Sequence, residues 1–248
     1  MRIVIKSFNG IGDLLFVTPT LRRIKERYPD AEVVVNTNHP LLIYGSPYVD
    51  VINESREGVF LGYADPIHCK NPTKHHIVAD WEIVSRAYNL DLEPPLLKPE
   101  IHIRDFKCPI HRTGVGVQVM HKGHWDGKKV WPHFQELVEV DDRCEPIPRF
   151  RNISELVWWI ASRKAVVCAE GGISHIARAM GTPAIVIYGG FARPEWNGYE
   201  EHINICNPLD CSYCYNSHKC ENIIHKQCMW EITVERVQKE LDSYVSRE

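Results

Sequence analysis

The 248-residue chain contains no uninterrupted apolar run of eighteen residues, so no transmembrane helix is expected. It has no surplus of positive charge either: 29 Lys and Arg stand against 32 Asp and Glu, a net charge of −3. That balance gives no general attraction to nucleic acid or to an anionic membrane. The opening, MRIVIKSFNG, lacks the long apolar core and small-residue cleavage site of a secretory signal. It reads as a buried first strand, and a cytoplasmic location is expected. There is no internal repeat and no low-complexity segment. With 44% hydrophobic and 25% charged residues, the composition is that of a globular protein holding one large core or two small ones.

Cysteine, by contrast, is plentiful. There are nine, an odd number, and no secretory signal, which argues against a disulfide framework. Cys69, Cys108, Cys144 and Cys168 are scattered, and five crowd into residues 206–228. Cys211, Cys214, Cys220 and Cys228 form C-x2-C-x5-C-x7-C. Four thiolates so close in sequence fit a tetrahedral zinc or iron site, and four sulfur ligands leave no open position for catalysis. Such an ion would be structural. His218, His225 and Cys206 are substitute ligands close by; the alternative is a set of reduced thiols that pack a loop.

Hydrophobic spacing gives the architecture. RIVIK at 2–6 is a β-branched run that ends at Asn9-Gly10-Ile11-Gly12-Asp13. Leu14, Val17, Leu21, Ile24 and Tyr28 then recur at helical spacing until Pro29-Asp30, and AEVVVN at 31–36 reads as the next buried strand. Strand, helix, strand in this length is a βαβ unit, and its strands are expected to be parallel. VDVIN at 49–53 is a third candidate strand; Ile77, Trp81, Val84 and Tyr88 mark a helix over 76–90. The proline-rich stretch 93–112, with its short IHI at 101–103, is the best domain boundary. A second αβ pattern follows: a strand at 113–120, a helix after Pro132, a helix over 153–163, strand AVVCA at 165–169, and the turn Glu170-Gly171-Gly172. A short helix carrying Ile173, Ile176, Ala177 and Met180, strand AIVIY at 184–188 and a closing helix from Thr233 complete it.

Four stretches in this order carry a family resemblance: GIGDLLFVTPTLRRIKERYP at 10–29, KKVWPHFQELV at 128–138, AEGGISHIARAMGTPAIVIYGG at 169–190, and the cysteine segment with its closing helix at 211–241. The sequence resembles glycosyltransferase family 9, the group that includes the lipopolysaccharide heptosyltransferases. The chain is shorter than members usually are, with length missing near 55–75 and 141–152. Glu170 stands where the family usually has Asp, and Gly171 where it has Ser or Thr. The resemblance implies an α/β, GT-B-like fold: two doubly wound Rossmann-type domains with a cleft between them. Residues 1–108 would form the acceptor side and 109–248 the nucleotide-sugar side, with the cysteine-rich loop.

The chemistry follows the motifs. Asp13 lies at a helix N-terminus, where Asp is also a favoured cap. The resemblance makes it the base that takes the acceptor's proton. Gly10 and Gly12 let the backbone approach a ligand. Backbone N–H groups at a helix start, here in Glu170-Gly171-Gly172 with Ser174 and His175, form an anion site suited to a diphosphate. Glu170 could accept hydrogen bonds from sugar or ribose hydroxyls. Of the pair Lys128 and Lys129, the resemblance favours Lys129 as the cation that stabilises the leaving diphosphate; Arg193 is a weaker phosphate candidate. Trp131 reads as a core anchor. The resemblance further implies an ADP-heptose-like donor and inversion at the anomeric carbon. No Asp-x-Asp pair is present, and no catalytic divalent metal is expected. Expected partners are a nucleotide-diphosphate sugar and an acceptor glycan, lipid-linked saccharide or protein. The alternatives are a nucleic-acid acceptor, which charge does not favour, a non-catalytic nucleotide- or sugar-binding protein, and a zinc-binding interaction module at 205–230.

Overall fold

The structure, a computed structural model, describes residues 1–54, 57–61, 73–109, 111–120, 129–214, 220, 222 and 224–245. Cys69, Lys128 and His218 lie outside them. The chain divides into two compact units, Met1–Lys107 with Asn152–Ser154, and Cys108–Arg151 with Glu155–Glu248.

The first unit is built on four parallel strands: β1 (Arg2–Ser7), β2 (Glu32–Thr37), β3 (Val51–Ile52) and β4 (Val59–Phe60), in the order β3-β2-β1-β4. Helix α1 (Ile11–Arg27) carries the chain from β1 to β2, and α2 (His76–Tyr88) follows β4. Parallel neighbours need such crossovers, which cover the sheet and bury its strands. Ile3 faces Val33 and Ile5 faces Val35 in the register, and all four are fully buried. Pro19 sits inside α1 and has no N–H for the carbonyl of Leu15. The Thr18 hydroxyl donates to that carbonyl at 2.8 Å and accepts the Glu100 N–H at 2.8 Å. Strands are added on one side of β1 and then on the other, so the carboxyl end of β1 is the point where strand order reverses. The chain there passes into Gly10 and Asp13.

The second unit has five parallel strands, β5 (Val115–Val117), β6 (Cys144–Pro146), β7 (Ala165–Ala169), β8 (Ala184–Gly189) and β9 (Ile203–Cys206), in the order β6-β5-β7-β8-β9. Helices α3 (Phe134–Val140), α4 (Ile153–Ala161) and α5 (Gly172–Met180) alternate with them. The short α6 (Pro194–Asn197) and α7 (Gln227–Trp230) and the closing α8 (Val234–Val245) follow. The central strands β7 and β8 are buried throughout. An added Cβ on Gly116 of β5 would come within 2.5 Å of the Trp159 ring, so the bare backbone lets that indole lie on the strand. Its neighbour Trp158 is half exposed. Trp131 is fully buried and its indole N–H donates to the carbonyl of Ile232 at 2.7 Å, as expected of a core anchor.

Three strands, β4, β6 and β9, are absent from the sequence reading, and IHI at 101–103 is not a strand. His102 instead ties a loop to its neighbour, donating its N–H to Leu42 and accepting that of Gly45, each at 2.7 Å. The strand expected over 113–120 narrows to Val115–Val117.

Candidate active site

In the second sheet the order reverses between β5 and β7, and ligands of doubly wound sheets bind at the carboxyl ends beside such a point. The two strands are pinned there: Gln118 donates its backbone N–H to Val167 at 2.9 Å, and its side-chain oxygen accepts the Ala169 N–H at 3.1 Å. β7 runs directly into Glu170-Gly171 and the start of α5. Gly171 has φ 150° and ψ −161°, a region essentially open to glycine alone. A Cβ there would meet nothing within 4 Å. The glycine is therefore demanded by the backbone, and the space before the helix start is open. The first helical bond, from the His175 N–H to the Gly171 carbonyl, leaves the N–H groups of Gly172, Ile173 and Ser174 without intrahelical acceptors. They, with the helix dipole, make an anion-seeking end.

Glu170, buried, is held on both oxygens. Lys129 Nζ lies 2.5 Å from Oε2, and Asn197 Nδ2 donates to Oε1 at 2.7 Å. Lys129, expected to face a diphosphate, thus also neutralises the acid of the same motif, and it lies 5.3 Å from the Phe191 ring. Ser174 donates to the Gly171 carbonyl at 2.7 Å and fixes the turn. His175 is 1% exposed, and its Nδ1 lies 2.9 Å from the Tyr199 hydroxyl. It packs beneath the helix start. Gly189, the last residue of β8, and Gly190 after it pack against the cysteine segment: a Cβ on Gly189 would stand 2.6 Å from Met229 Sδ. Arg193 lies over the Tyr213 ring at 4.8 Å.

In the first unit Asp13 is buried in the first turn of α1, where Oδ2 accepts the Gly10 N–H at 2.7 Å. The N-cap is Gly10 rather than Asp13, which sits at the third helical position and reaches back to the cap N–H with one carboxylate oxygen. Gly12 belongs to the same turn. A buried group that sequence reading missed packs on α1: His75, the N-cap of α2, and His76 and Asp80 within it. Phe16 of α1 stacks on His76 at 5.1 Å and meets His75 edge-on at 6.0 Å. Asn197 and Tyr199 were also missed, since nothing in their local sequence marks them.

Cys211 and Cys214 are exposed and Cys220 and Cys228 half-buried. Burial raises the Cys228 pKa, and the charges of Cys214, Cys220 and Cys211 raise it further, against the opposing bond from the Gly190 backbone. The Lys226 N–H donates to Cys220 Sγ at 3.3 Å. Neighbouring thiols with N–H donors suit a thiolate-bound ion by chemistry. Among the described residues, however, no three Cys, His, Asp or Glu side chains converge on a common metal position.

Sheets of this order, with a glycine turn at each reversal, are doubly wound α/β units, here of the GT-B-like class seen in known glycosyltransferases. Solved structures share it. TibC, an iron-containing dodecameric glycosyltransferase from enterotoxigenic E. coli H10407, matches with a TM-score of 0.75 at 14% identity over 99% of this chain and 78% of that one. The E. coli heptosyltransferase WaaC with ADP-2-deoxy-2-fluoro heptose gives 0.64 at 12% identity over 98% and 99%. The family 9 glycosyltransferase of Veillonella parvula DSM 2008 gives 0.68 at 12% over 100% and 97%. No curated protein matches the sequence. The model of glycosyltransferase family 9 (heptosyltransferase) matches residues 148–225, a stretch that contains Glu170 to His175. With the shared fold, that match supports membership of glycosyltransferase family 9 and sugar transfer as the chemistry. Among the described residues no helix is long and apolar enough to cross a membrane.

Proposed function

We propose that the protein transfers a heptose-like sugar from a nucleotide-diphosphate donor to an acceptor hydroxyl, with inversion at the anomeric carbon. The observation that carries this reading is the open, glycine-only helix start at Gly171, with the Lys129–Glu170 pair beside it, at the strand-order reversal of a family 9 fold. The N–H groups of Gly172, Ile173 and Ser174 hold the diphosphate, and Lys129 offsets the charge that grows on it as the glycosidic bond breaks. Asp13 takes the proton of the attacking hydroxyl. An ADP-linked heptose is the first donor to test, because WaaC was solved with such a compound. The acceptor class is a glycan, lipid-linked saccharide or protein. Cys211, Cys214, Cys220 and Cys228 hold a structural zinc or iron ion in this reading, which keeps the loop against Gly189 and Gly190 in place.

A thermal-shift panel of nucleotide sugars tests the donor site. One class, ADP-sugars first, is expected to raise Tm, and NMR of the transfer product is expected to show the inverted anomer. No shift with any nucleotide sugar would reject the reading.

A further inference from the structure

Asn197 is 1% exposed, and its carboxamide makes one hydrogen bond among the described residues: Nδ2 donates to Glu170 Oε1 at 2.7 Å. Its Oδ1 is buried and has no partner among those residues. A buried amide satisfied at one end only weakens a fold, and an apolar side chain of similar size would not. Such violations concentrate at functional sites. The chain around Asn197 is also held firmly. Gly198 lies on β8, where an added Cβ would come within 2.7 Å of the Tyr188 hydroxyl, and its N–H donates to Pro194 at 2.6 Å. The next residue, Tyr199, is tied to α5 through His175 at 2.9 Å. The amide therefore meets Glu170 from a fixed frame. A carboxylate only accepts, so the amide must present its nitrogen, and with Oε1 engaged the other oxygen, Oε2, is turned to Lys129 Nζ at 2.5 Å. Lys129 carries its ammonium on a flexible four-carbon stem, and its backbone is anchored two residues on by buried Trp131. An ammonium has three N–H donors, so a bond to Glu170 leaves capacity for a phosphate oxygen at Gly171, the next residue of the motif.

We propose that Asn197 is the positioning residue for Lys129: it fixes the Glu170 carboxyl, and Glu170 in turn holds the ammonium beside the helix start at Gly171. The inference rests on Lys129 being the cation that serves the diphosphate. It also changes the part given to Glu170, whose carboxylate orients a protein cation rather than a sugar or ribose hydroxyl. Asn197 suits this task because an amide donates a hydrogen bond without adding charge, so Lys129 and Glu170 remain a neutral pair. In the transfer step the glycosidic bond breaks and its electron pair goes to the nucleoside diphosphate. A displaced ammonium would no longer stabilise the charge that grows there, so the defect falls on kcat more than on KM. Glu170 and Asn197 exchange no proton with substrate.

Reductive methylation of the whole protein, read by peptide mass mapping, tests the geometry without turnover. Lys129 is expected to react about threefold faster in Asn197→Leu than in the wild type, because its stem is no longer held in one place. Asn197→Ser, whose side chain is too short to reach Glu170, serves if the leucine variant does not fold. An unchanged rate in a folded variant overturns the proposal. Turnover, read as ADP released from an ADP-heptose, tests the consequence. Asn197→Leu is expected to lower kcat about tenfold and to leave the donor KM within about twofold. In a Lys129→Met background the same change should cause no further fall in kcat. An equal fall in both backgrounds overturns the proposal, because Asn197 would then act on something other than Lys129. A wild type that neither turns over an ADP-heptose nor gains Tm with ADP would overturn the donor reading instead, and the methylation rates would still decide whether Asn197 fixes Lys129. Failure of the two ideas thus leaves different signatures.

Discussion

Lys129 and Glu170 form an ion pair of 2.5 Å in which the acid is 4% and the lysine 18% exposed. Two charges taken this far from water depend on each other, because either one alone would be left buried and uncompensated. Lys129→Met is expected to cost about 3 kcal/mol of stability, and Glu170→Leu a similar amount. The double variant should recover at least half of the summed loss. Urea unfolding of the four proteins checks this; simple additivity would show that the pair is not coupled. Nucleotide-sugar binding discriminates further. If Lys129 also faces the diphosphate, the double variant regains stability without regaining the donor-induced rise in Tm.

Gly171 separates backbone strain from steric blocking. Alanine at φ 150° is strained whatever the space around it, and roughly 1–3 kcal/mol of destabilisation is expected. Nothing lies within 4 Å of the new Cβ, so no clash inside the protein adds to that. In the proposed function the methyl group would instead enter the space given to the donor diphosphate. Gly171→Ala should therefore fold with a lowered Tm and lose the thermal shift given by nucleotide sugars. A variant with the lowered Tm but a normal shift would move the diphosphate away from this turn.

The sequence marks this region clearly because local and global signals agree there. β7 and β8 are continuous apolar runs, each closed by glycine, and α5 between them ends at Gly181 in the left-handed conformation. Alternation of such units is enough to expect parallel sheets. β6 was hidden because Cys-Glu-Pro is neither apolar nor alternating; an edge strand next to one neighbour tolerates a proline that a central strand would not. β4 and β9 are short and take their pairing from strands already in place. At the site, Glu170, Gly171 and His175 were legible as one motif. Asp80 was not, since the apolar positions Ile77, Trp81, Val84 and Tyr88 already satisfied the helical pattern. An acid on the buried stripe was the signal, visible only by asking which residues share the face.

The cysteine loop makes a prediction about composition. If Cys211, Cys214, Cys220 and Cys228 hold one ion, purified protein should carry about one zinc or iron per chain. Cys211→Ser with Cys214→Ser should reduce that to about a tenth or less and lower Tm, since a structural ion contributes its binding free energy to folding. Elemental analysis alongside thermal unfolding decides it. Metal-free wild-type protein with the Tm of the double variant would leave the thiols as loop packing.

His202 predicts how the second unit responds to acid. It is buried, and among the described residues neither ring nitrogen has a hydrogen-bond partner. Burial, and then the nearby charge of Arg178, depress its pKa to about 4 from an ordinary 6.5. Between those values the unfolded chain binds a proton that the folded one refuses, so stability falls as pH drops from 6.5 towards 4. The loss over that window is on the order of 3 kcal/mol. Asp141, held down to about 2 by Arg143, gives stability that is present above the ordinary carboxylate range and lost progressively as pH falls from there through 2. Its window lies below that of His202, so the two are separable. His202→Phe should flatten the decline between pH 6.5 and 4 without altering the steeper fall at lower pH. Urea midpoints at half-unit steps of pH provide the measurement. An equal decline in wild type and variant would show that His202 is not its source.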